Sequence, residues 1–274
     1  MLAKNVDIVM GQIGESDLVL DIGGWVQPFR RADYVLDVLP FETRGVFGSL
    51  GNGRERFSRD TWTVHDVSSL QPLPFKTGQF DFVVCSHVLE DIRDPIRLCS
   101  EISRIGKRGY IEVPSRMAES TLGLEGEKYA GYCHHRWLVE IENSEIIFRF
   151  KPHLLHESWK FCFPSSRVHS LNEALCVSWC FWEGSIKCRE IIQISRECME
   201  RELESYIRQF RVYPEYRYNI EKMWKNFRSP KQALRRMIMK HPWLRVVTER
   251  IIGKRLIESR GRNPWGNLPE IHSR

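Results

Sequence analysis

The sequence predicts an α/β fold with a doubly wound, mostly parallel sheet, an antiparallel edge hairpin and a C-terminal basic helical extension. Two observations predict it. Short apolar runs alternate with polar or glycine-bearing connections up to about residue 115, and the net charge changes sign along the chain. A chain of 274 residues is long enough for one large domain and an extension. We therefore expect a domain over residues 1–195 and the extension over residues 196–274.

Five apolar runs are predicted as strands of the main sheet. The fourth, FDFVVCS, is apolar on both faces, as expected at the centre of a parallel sheet. Asp94 and Pro95 predict the start of a helix that runs to about Ile105, with Asp94 as its N-cap. The crossovers are long enough for the chain to return, so we expect parallel strands. The runs cover residues 17–22, 33–38, 62–67, 80–86 and 110–114.

Two hairpins are predicted after the fifth strand. The first joins residues 136–141 to 145–150 and is expected as an insertion near the site. The second joins residues 176–182 to 185–192 and is expected to close the sheet edge. From about Ser195 the pattern is helical.

The composition excludes several other classes of protein. With 42% hydrophobic and 28% charged residues, the chain is not expected to be disordered. No apolar run approaches the roughly 18 to 20 residues that span a bilayer. Acidic residues interrupt the N-terminal segment early, so we expect no secretory signal and a cytoplasmic location. The eight cysteines include no C-x-x-C pair, so we expect free thiols and no metal site.

Acidic residues stand at the ends of three predicted strands. Asp21 is followed by Gly23 and Gly24, which let the chain turn tightly and let a ligand approach the backbone. Asp37 can accept both hydroxyls of a ribose, and Asp66 can accept from an adenine edge. Because the carboxyl ends of parallel strands meet at one rim, we expect the three acids to converge there. No third glycine follows Gly24, which disfavours a nicotinamide-dependent oxidoreductase with its pyrophosphate cradle.

Several segments, taken together, form the pattern of a known family. They are VLDIGGW, YVLD, HDV, PLPFKTGQFDFVVCSHVLEDIRDP and RLCSEISRIGKRGYIEVPS. This pattern resembles that of the class I S-adenosylmethionine-dependent methyltransferases, whose fold is Rossmann-like. The resemblance covers about residues 17–115 and is closest to the branch that acts mostly on small molecules, lipids and glycans.

The resemblance implies S-adenosyl-L-methionine as the cofactor and a small-molecule, saccharide or lipid-linked methyl acceptor. Trp25 replaces the second glycine of the family motif and crowds the loop. The alternative is therefore a non-catalytic, degenerate methyltransferase fold that serves as a binding or membrane-surface protein. The cofactor residues that the resemblance implies are Asp21, Gly23 and Gly24 at the methionine end, Asp37 at the ribose, Asp66 and Val67 at the adenine, and Ser86 and His87 at the methyl-donor pocket.

Methyl transfer to an oxygen acceptor needs a base whose pKa is near ambient pH, which favours histidine. The predicted catalytic residues are His87, His134 and His135, with a structural role for each histidine as the other interpretation. The connection over residues 39–57, rich in glycine and arginine, is either a binding loop for an anionic acceptor or a solvated loop. Arg116 is predicted to act in a similar way.

The C-terminal part of the chain is strongly basic. Residues 208–262 contain 16 Lys and Arg against 4 Asp and Glu. Within residues 229–262, apolar side chains recur at helical spacing, which is typical of a helix that packs on the domain or on a second subunit. It is also typical of a helix on an anionic membrane surface, which would make the protein membrane-peripheral. Nucleic-acid binding is the least favoured interpretation. A homo-oligomer is possible if the helix packs on a second subunit.

Overall fold

The computed structural model describes residues 1–125 and 129–210. The predicted elements beyond residue 210, including the basic stretch 229–262, lie outside the described residues. Among the described helices, none has both the length and the apolar character needed to cross a membrane.

The described residues form nine strands and five α-helices, with short 3-10 segments in some of the connections. The strands are β1 (Val19–Ile22), β2 (Tyr34–Asp37), β3 (Trp62–Val64), β4 (Phe82–Ser86), β5 (Arg108–Pro114), β6 (Trp137–Glu142), β7 (Glu145–Phe150), β8 (Val177–Glu183) and β9 (Lys187–Glu190). The helices are α1 (Ala3–Met10), α2 (Pro95–Ile105), α3 (Arg116–Glu119), α4 (Glu173–Cys176) and α5 (Arg196–Gln209).

The main sheet has six strands in the order β3-β2-β1-β4-β5-β8. The first five are parallel, and β8 runs antiparallel to β5 at the edge. Strand order reverses between β1 and β4, which is where ligands bind in open α/β sheets. The predicted α/β fold with a mostly parallel sheet and an antiparallel edge is confirmed.

The strands of the second predicted hairpin do not pair with each other. β8 pairs with β5, whereas β9 leaves the main sheet and pairs in parallel with β7. β9 therefore completes a separate three-stranded sheet with β6 and β7, the first predicted hairpin, which is present. The edge of the main sheet is therefore closed by one antiparallel strand, β8, which pairs with β5. The other strand, β9, pairs with β7 in the second sheet.

Both faces of the main sheet are covered by apolar side chains. On one face, Leu98 and Ile102 of α2 are fully buried in a cluster with Ile22 of β1. On the other face, Val9 of α1 is buried in a cluster with Val19. This two-sided burial explains why the central strands are continuous apolar runs.

Helix α5 packs against the part of the chain that precedes it. Leu203 and Ile207 are buried, and the Tyr206 ring lies over the Arg116 guanidinium at 4.0 Å. Arg116, itself 4% exposed, also forms ion pairs with Glu140 and Glu202. Its charge is therefore compensated within the fold, and the boundary expected after residue 195 stays a prediction.

Candidate cofactor site

A cavity of about 310 Å³ lies at the carboxyl ends of β1 and β4. This is near the lower end of the volumes typical of small-molecule sites, roughly 300 to 1,000 Å³. Five of the eight predicted cofactor residues line it, and Met1, Leu2, Val26, Gln27, Phe29, Leu50 and Val84 complete the wall. The five are Asp21, Gly23, Gly24, Ser86 and His87.

The turn after β1 requires glycine at two successive positions. Gly23 has φ of +79°, and a Cβ atom there would lie 2.2 Å from Cγ2 of Val88. A Cβ atom at Gly24 would lie 2.3 Å from Oδ2 of Asp21. Both distances are impossible for real atoms, so the two glycines let the turn close tightly against the loop after β4 and against the carboxylate of Asp21.

Asp21 places a buried carboxylate in the cavity wall. It is 4% exposed, and its Oδ2 accepts a hydrogen bond from the backbone N–H of Phe29 at 2.9 Å. Burial raises the pKa of Asp21 to about 6, although the hydrogen bond from Phe29 opposes this. The group is therefore mostly ionised at neutral pH. Within the described residues, its Oδ1 receives no hydrogen bond, so it remains available to a cation.

Asp37 ends β2, as predicted, but it does not line the cavity. Its two carboxylate oxygens accept the backbone N–H groups of Trp25 at 3.1 Å and Leu39 at 2.9 Å. Burial raises its pKa, with these hydrogen bonds acting in the opposite direction. The ribose contact assigned to Asp37 stays a prediction.

Trp25 does not fill the cavity. Its indole N–H donates to Oγ1 of Thr43 at 2.9 Å, and its side chain is not part of the cavity wall. The ring therefore lies toward the 3-10 turn Phe41–Thr43 that follows β2. Although Trp25 replaces the glycine of the family motif, its side chain does not block the space beside Asp21.

The structure does not bring Asp66 and Val67 to the cavity. Asp66 is exposed, and its Oδ1 accepts the backbone N–H of Ser68 at 2.8 Å, which caps the turn after β3. Neither residue is part of the cavity wall. The adenine contact assigned to them stays a prediction. Of the three acids expected to converge, only Asp21 lines the cavity.

His87 is held at the rim of the cavity by two buried carboxylates. Its φ is 56° and its ring is 42% exposed. Nε2 lies 3.3 Å from Glu112 and Nδ1 lies 3.5 Å from Glu90. Burial lowers the pKa of His87, but the neighbouring carboxylates of Glu112 and Glu90 outweigh it and raise the pKa to about 9. The ring is therefore protonated at neutral pH, which argues against a role as general base there.

Glu112 is the residue at this site that the sequence reasoning missed. Its carboxylate is fully buried on β5 and accepts from Tyr110 Oη at 2.6 Å, Leu2 N at 2.7 Å and Asn5 Nδ2 at 2.9 Å. Burial raises its pKa, but His87, the N-terminal ammonium 3.7 Å away, and the hydrogen bonds from Tyr110 and Asn5 together lower the pKa to about 2. A signal was present: YIEVP is a predicted strand of the parallel sheet, yet it contains an acid among apolar residues.

His134 and His135 lie outside the cavity wall and differ in exposure. His135 is 6% exposed, and its Nδ1 lies 2.7 Å from Oε1 of the buried Glu119. His134 is 54% exposed, and its Nδ1 lies 3.4 Å from Glu125. Both imidazoles approach Asp91, which follows His87 by four residues in the loop after β4. The histidine pair is thereby connected to the loop that forms the cavity rim.

The arginines of residues 39–57 are mostly committed to other contacts. Arg44 pairs with Glu55 at 2.7 Å and stacks on the Phe41 ring at 3.6 Å. Arg56 pairs with Asp33 at 2.9 Å. These contacts favour a structural role for the loop over a binding site for an anionic acceptor.

The cavity suits the cationic, methionine end of the cofactor implied by the motifs. S-adenosyl-L-methionine carries a sulfonium and an ammonium group, and the Asp21 carboxylate is a suitable counter-ion for a cation. Phe29, Leu50 and Val84 supply an apolar wall. Between β1 and β2 the described chain contains no α-helix. The turn after β1 therefore lacks the helix N-terminus that binds the pyrophosphate of a dinucleotide.

Comparison with known proteins gives one family match. Residues 48–111 match a family model described as a methyltransferase domain. No curated protein matches the sequence.

Solved structures give weaker likenesses. The protein BH2331 from Bacillus halodurans C-125 is 16% identical, with 41% of this chain and 52% of that chain covered and a TM-score of 0.32. An S-adenosylmethionine-dependent methyltransferase from Mesorhizobium loti is 15% identical, with 56% and 66% covered and a TM-score of 0.32. A chain of the complex between the Haloferax volcanii Trm112 methyltransferase activator and a methyltransferase is 19% identical, with 40% of this chain and 51% of that chain covered and a TM-score of 0.31. The chain thus spans about half to two thirds of these proteins, and scores this low carry no functional information.

Proposed function

We propose that this chain, which carries a class I S-adenosylmethionine-dependent methyltransferase domain, transfers a methyl group to a small-molecule, saccharide or lipid-linked acceptor. The family match over residues 48–111 agrees with the motifs, and S-adenosyl-L-methionine is the cofactor that this domain implies.

One observation carries the proposal. Five residues assigned to the cofactor by motif alone line a single cavity at the carboxyl ends of β1 and β4. These residues come from segments more than sixty positions apart in the chain, so their presence around one cavity is not a consequence of sequence proximity. The position is also where an open α/β sheet binds its ligand.

The residues of the cavity have distinct proposed roles. When bound, the cofactor supplies a methyl group made electrophilic by its sulfonium. Asp21 binds a cationic group of the cofactor, whereas the charge of the His87 ring at the rim is already compensated by Glu112 and Glu90. The apolar wall of Phe29 and Leu50 excludes water from the cavity. Holding the acceptor in line with the methyl group lowers the activation barrier by up to roughly 7 to 11 kcal/mol in ideal geometry.

The acceptor side is proposed to lie along the loop after β4. This loop carries His87 at the cavity and Asp91 beside His134 and His135. An acceptor bound over this loop would contact the cavity and the histidine pair together. A cytoplasmic or membrane-peripheral location, contact of residues 229–262 with an anionic membrane, and a homo-oligomer belong to the same proposal.

Calorimetry with S-adenosylhomocysteine and the full chain tests cofactor binding. The wild-type chain is expected to bind, and Asp21→Asn, which keeps an acceptor for the Phe29 N–H, is expected to weaken binding at least tenfold. Asp60→Asn, at an exposed position, is the matched control and should bind like wild type. Absence of binding by the wild-type chain would overturn the proposal, and unchanged binding by Asp21→Asn would overturn the assignment of the cavity.

The acceptor class is tested by the release of S-adenosylhomocysteine. Turnover is compared for a free saccharide, the same saccharide linked to a lipid in anionic vesicles, and small hydroxylated compounds. Faster turnover with the vesicle-bound form supports a lipid-linked acceptor, and no turnover with any of them contradicts the acceptor classes proposed.

A second function is favoured by one observation. Both oxygens of Asp37 are occupied by backbone N–H groups, as expected for a domain in which this acid serves the loop rather than a ribose. The corresponding function is a non-catalytic binding protein with a degenerate methyltransferase fold. It predicts a folded chain, by circular dichroism, that takes up neither S-adenosylmethionine nor S-adenosylhomocysteine.

A further inference from the structure

We propose that Asp91, His134 and His135 form a binding site for one divalent transition-metal ion of the zinc type. This inference goes beyond methyl transfer and does not depend on it, because metal binding is measured without cofactor or acceptor. It also departs from the expectation of no metal site, which considered only the spacing of the cysteines.

The three side chains bring ligand atoms together from two separate segments. Nε2 of His135 lies 3.7 Å from Oδ1 of Asp91, and Nε2 of His134 lies 3.8 Å from the same oxygen. One ligand atom from each residue lies within 4.8 Å of the others. Tetrahedral bonds of about 2.1 Å place neighbouring ligand atoms about 3.4 Å apart. The two distances to Asp91 are close to this value, and the two imidazole nitrogens lie within 4.8 Å of each other, so they must approach for the site to close.

One oxygen of Asp91 has no hydrogen-bond donor. Oδ1 is buried and receives no hydrogen bond within the described residues, although the side chain as a whole is 39% exposed. The two imidazole nitrogens are too distant from Oδ1 for hydrogen bonds. A buried carboxylate oxygen without a donor is costly, and a shared cation would remove that cost.

His135 is positioned as a metal ligand by the residue behind it. Its Nδ1 lies 2.7 Å from Oε1 of Glu119, which is buried. The other oxygen of Glu119 accepts from Nζ of Lys151 at 2.5 Å. A carboxylate on one ring nitrogen fixes the tautomer and directs the other nitrogen outward, which is the arrangement found behind metal-bound histidines. Nε2, the nitrogen left over, is the one that faces Asp91.

The surroundings favour a cation with nitrogen ligands. Glu125 lies 3.4 Å from Nδ1 of His134, the nitrogen on the other side of the ring, so it orients the ring and does not bind the same ion. Two imidazoles and a carboxylate suit zinc or cobalt and disfavour magnesium, which prefers oxygen ligands. With three protein ligands, a fourth position is open to water or to an oxygen of an acceptor.

Metal binding by the full chain, stripped with chelator and freed of any histidine tag, tests the proposal. Titration with Zn²⁺ followed by calorimetry, and the visible spectrum of the Co²⁺ form, are expected to show one bound equivalent. Mg²⁺ is expected to give no heat. His134→Ala, at a half-exposed ring, and Asp91→Asn are each expected to weaken Zn²⁺ binding at least tenfold.

The control variant is His153→Ala, which removes an exposed histidine outside the group and should bind like wild type. Circular dichroism of each variant establishes that it is folded. Absence of a bound equivalent in the wild-type chain would overturn the proposal, as would equal affinity in His134→Ala, Asp91→Asn and the control.

Discussion

Replacing Glu112 by Gln tests whether the buried carboxylate under the cavity stabilises the fold. The ionised group accepts hydrogen bonds from Tyr110, Leu2 and Asn5 at 2.6 to 2.9 Å and approaches His87. Gln keeps the size of the side chain but loses the charge. Whichever oxygen the NH₂ group replaces, it faces the backbone N–H of Leu2 or the side-chain N–H of Asn5, and neither nitrogen has a lone pair to accept from it.

The expected loss can be obtained in two ways. A hydrogen bond to a charged group contributes about 1.5 to 3 kcal/mol and a neutral one about 1, so three weakened bonds cost about 3 kcal/mol. The second way uses the pKa of Glu112, which is lowered from 4.5 to about 2. At 1.36 kcal/mol per pKa unit this shift also corresponds to about 3 kcal/mol. We therefore expect Glu112→Gln to lower the free energy of unfolding at pH 7 by about 3 kcal/mol.

The pH dependence has a definite sign. Because the folded pKa of Glu112 lies below its unfolded value, its contribution is present above pH 4.5 and is lost as the pH falls toward 2. The difference between wild type and Glu112→Gln should therefore shrink over that range. The pKa of His87, about 9 in the wild type, should fall toward the ordinary value of 6.5 in the variant. Its own contribution to stability, lost as pH rises through 9, is small because the ring is 42% exposed.

Urea unfolding followed by circular dichroism measures the stability, and NMR measures the pKa of His87. The matched control is Glu145→Gln, which removes a partly exposed carboxylate 3.1 Å from Arg189 and is expected to change stability by less than about 0.5 kcal/mol. A loss below 1 kcal/mol for Glu112→Gln, or a His87 pKa that does not move, would refute the reasoning.

Two further predictions concern local structure and are checked by urea unfolding. Gly23→Ala should cost at least about 2 kcal/mol, from left-handed strain of about 1 to 2 and from the overlap with Val88, and it should reduce S-adenosylhomocysteine binding. The control is Gly78→Ala, where φ is +63° and no atom lies within 4 Å of the new Cβ, so this variant has the backbone strain without an overlap. An equal loss of stability in both variants would contradict the close contact at Gly23. Asp94→Ala should cost about 1 kcal/mol because its side chain accepts the N–H of Arg97 at the start of α2; no change would show that the cap is not needed.

Local signals in the sequence predicted most of the main sheet. Helix α2 begins at Pro95 and ends at Ile105, and Asp94 caps it as expected. The five predicted parallel strands are all present, within a few residues of their expected bounds. Apolar periodicity and capping residues act over one or two turns of chain, so they are visible without knowledge of distant contacts.

Strand pairing was harder to predict because it is not a local property. The turn at Gly184, with φ of +70°, is typical of a hairpin, yet β8 and β9 belong to different sheets. Trp182 of β8 packs against the main sheet and is 8% exposed, whereas the side chains of β9 are mostly exposed. Which open edge receives each strand depends on β5 and β7, and a pattern confined to residues 176–192 contains no information on either.

The candidate site shows the same limit for individual carboxylates. Position at a strand end correctly indicated that Asp21 and His87 lie at one rim, because parallel strands place their ends together. What each acid does there depends on partners far away in sequence. The donor that reaches Glu112 from Leu2 is 110 positions distant, and the Glu119 that orients His135 belongs to another segment. Asp37, whose two oxygens both accept hydrogen bonds, and Asp91, whose Oδ1 accepts none, are alike in the sequence. Only their hydrogen bonds separate a structural carboxylate from one with an oxygen available to a ligand.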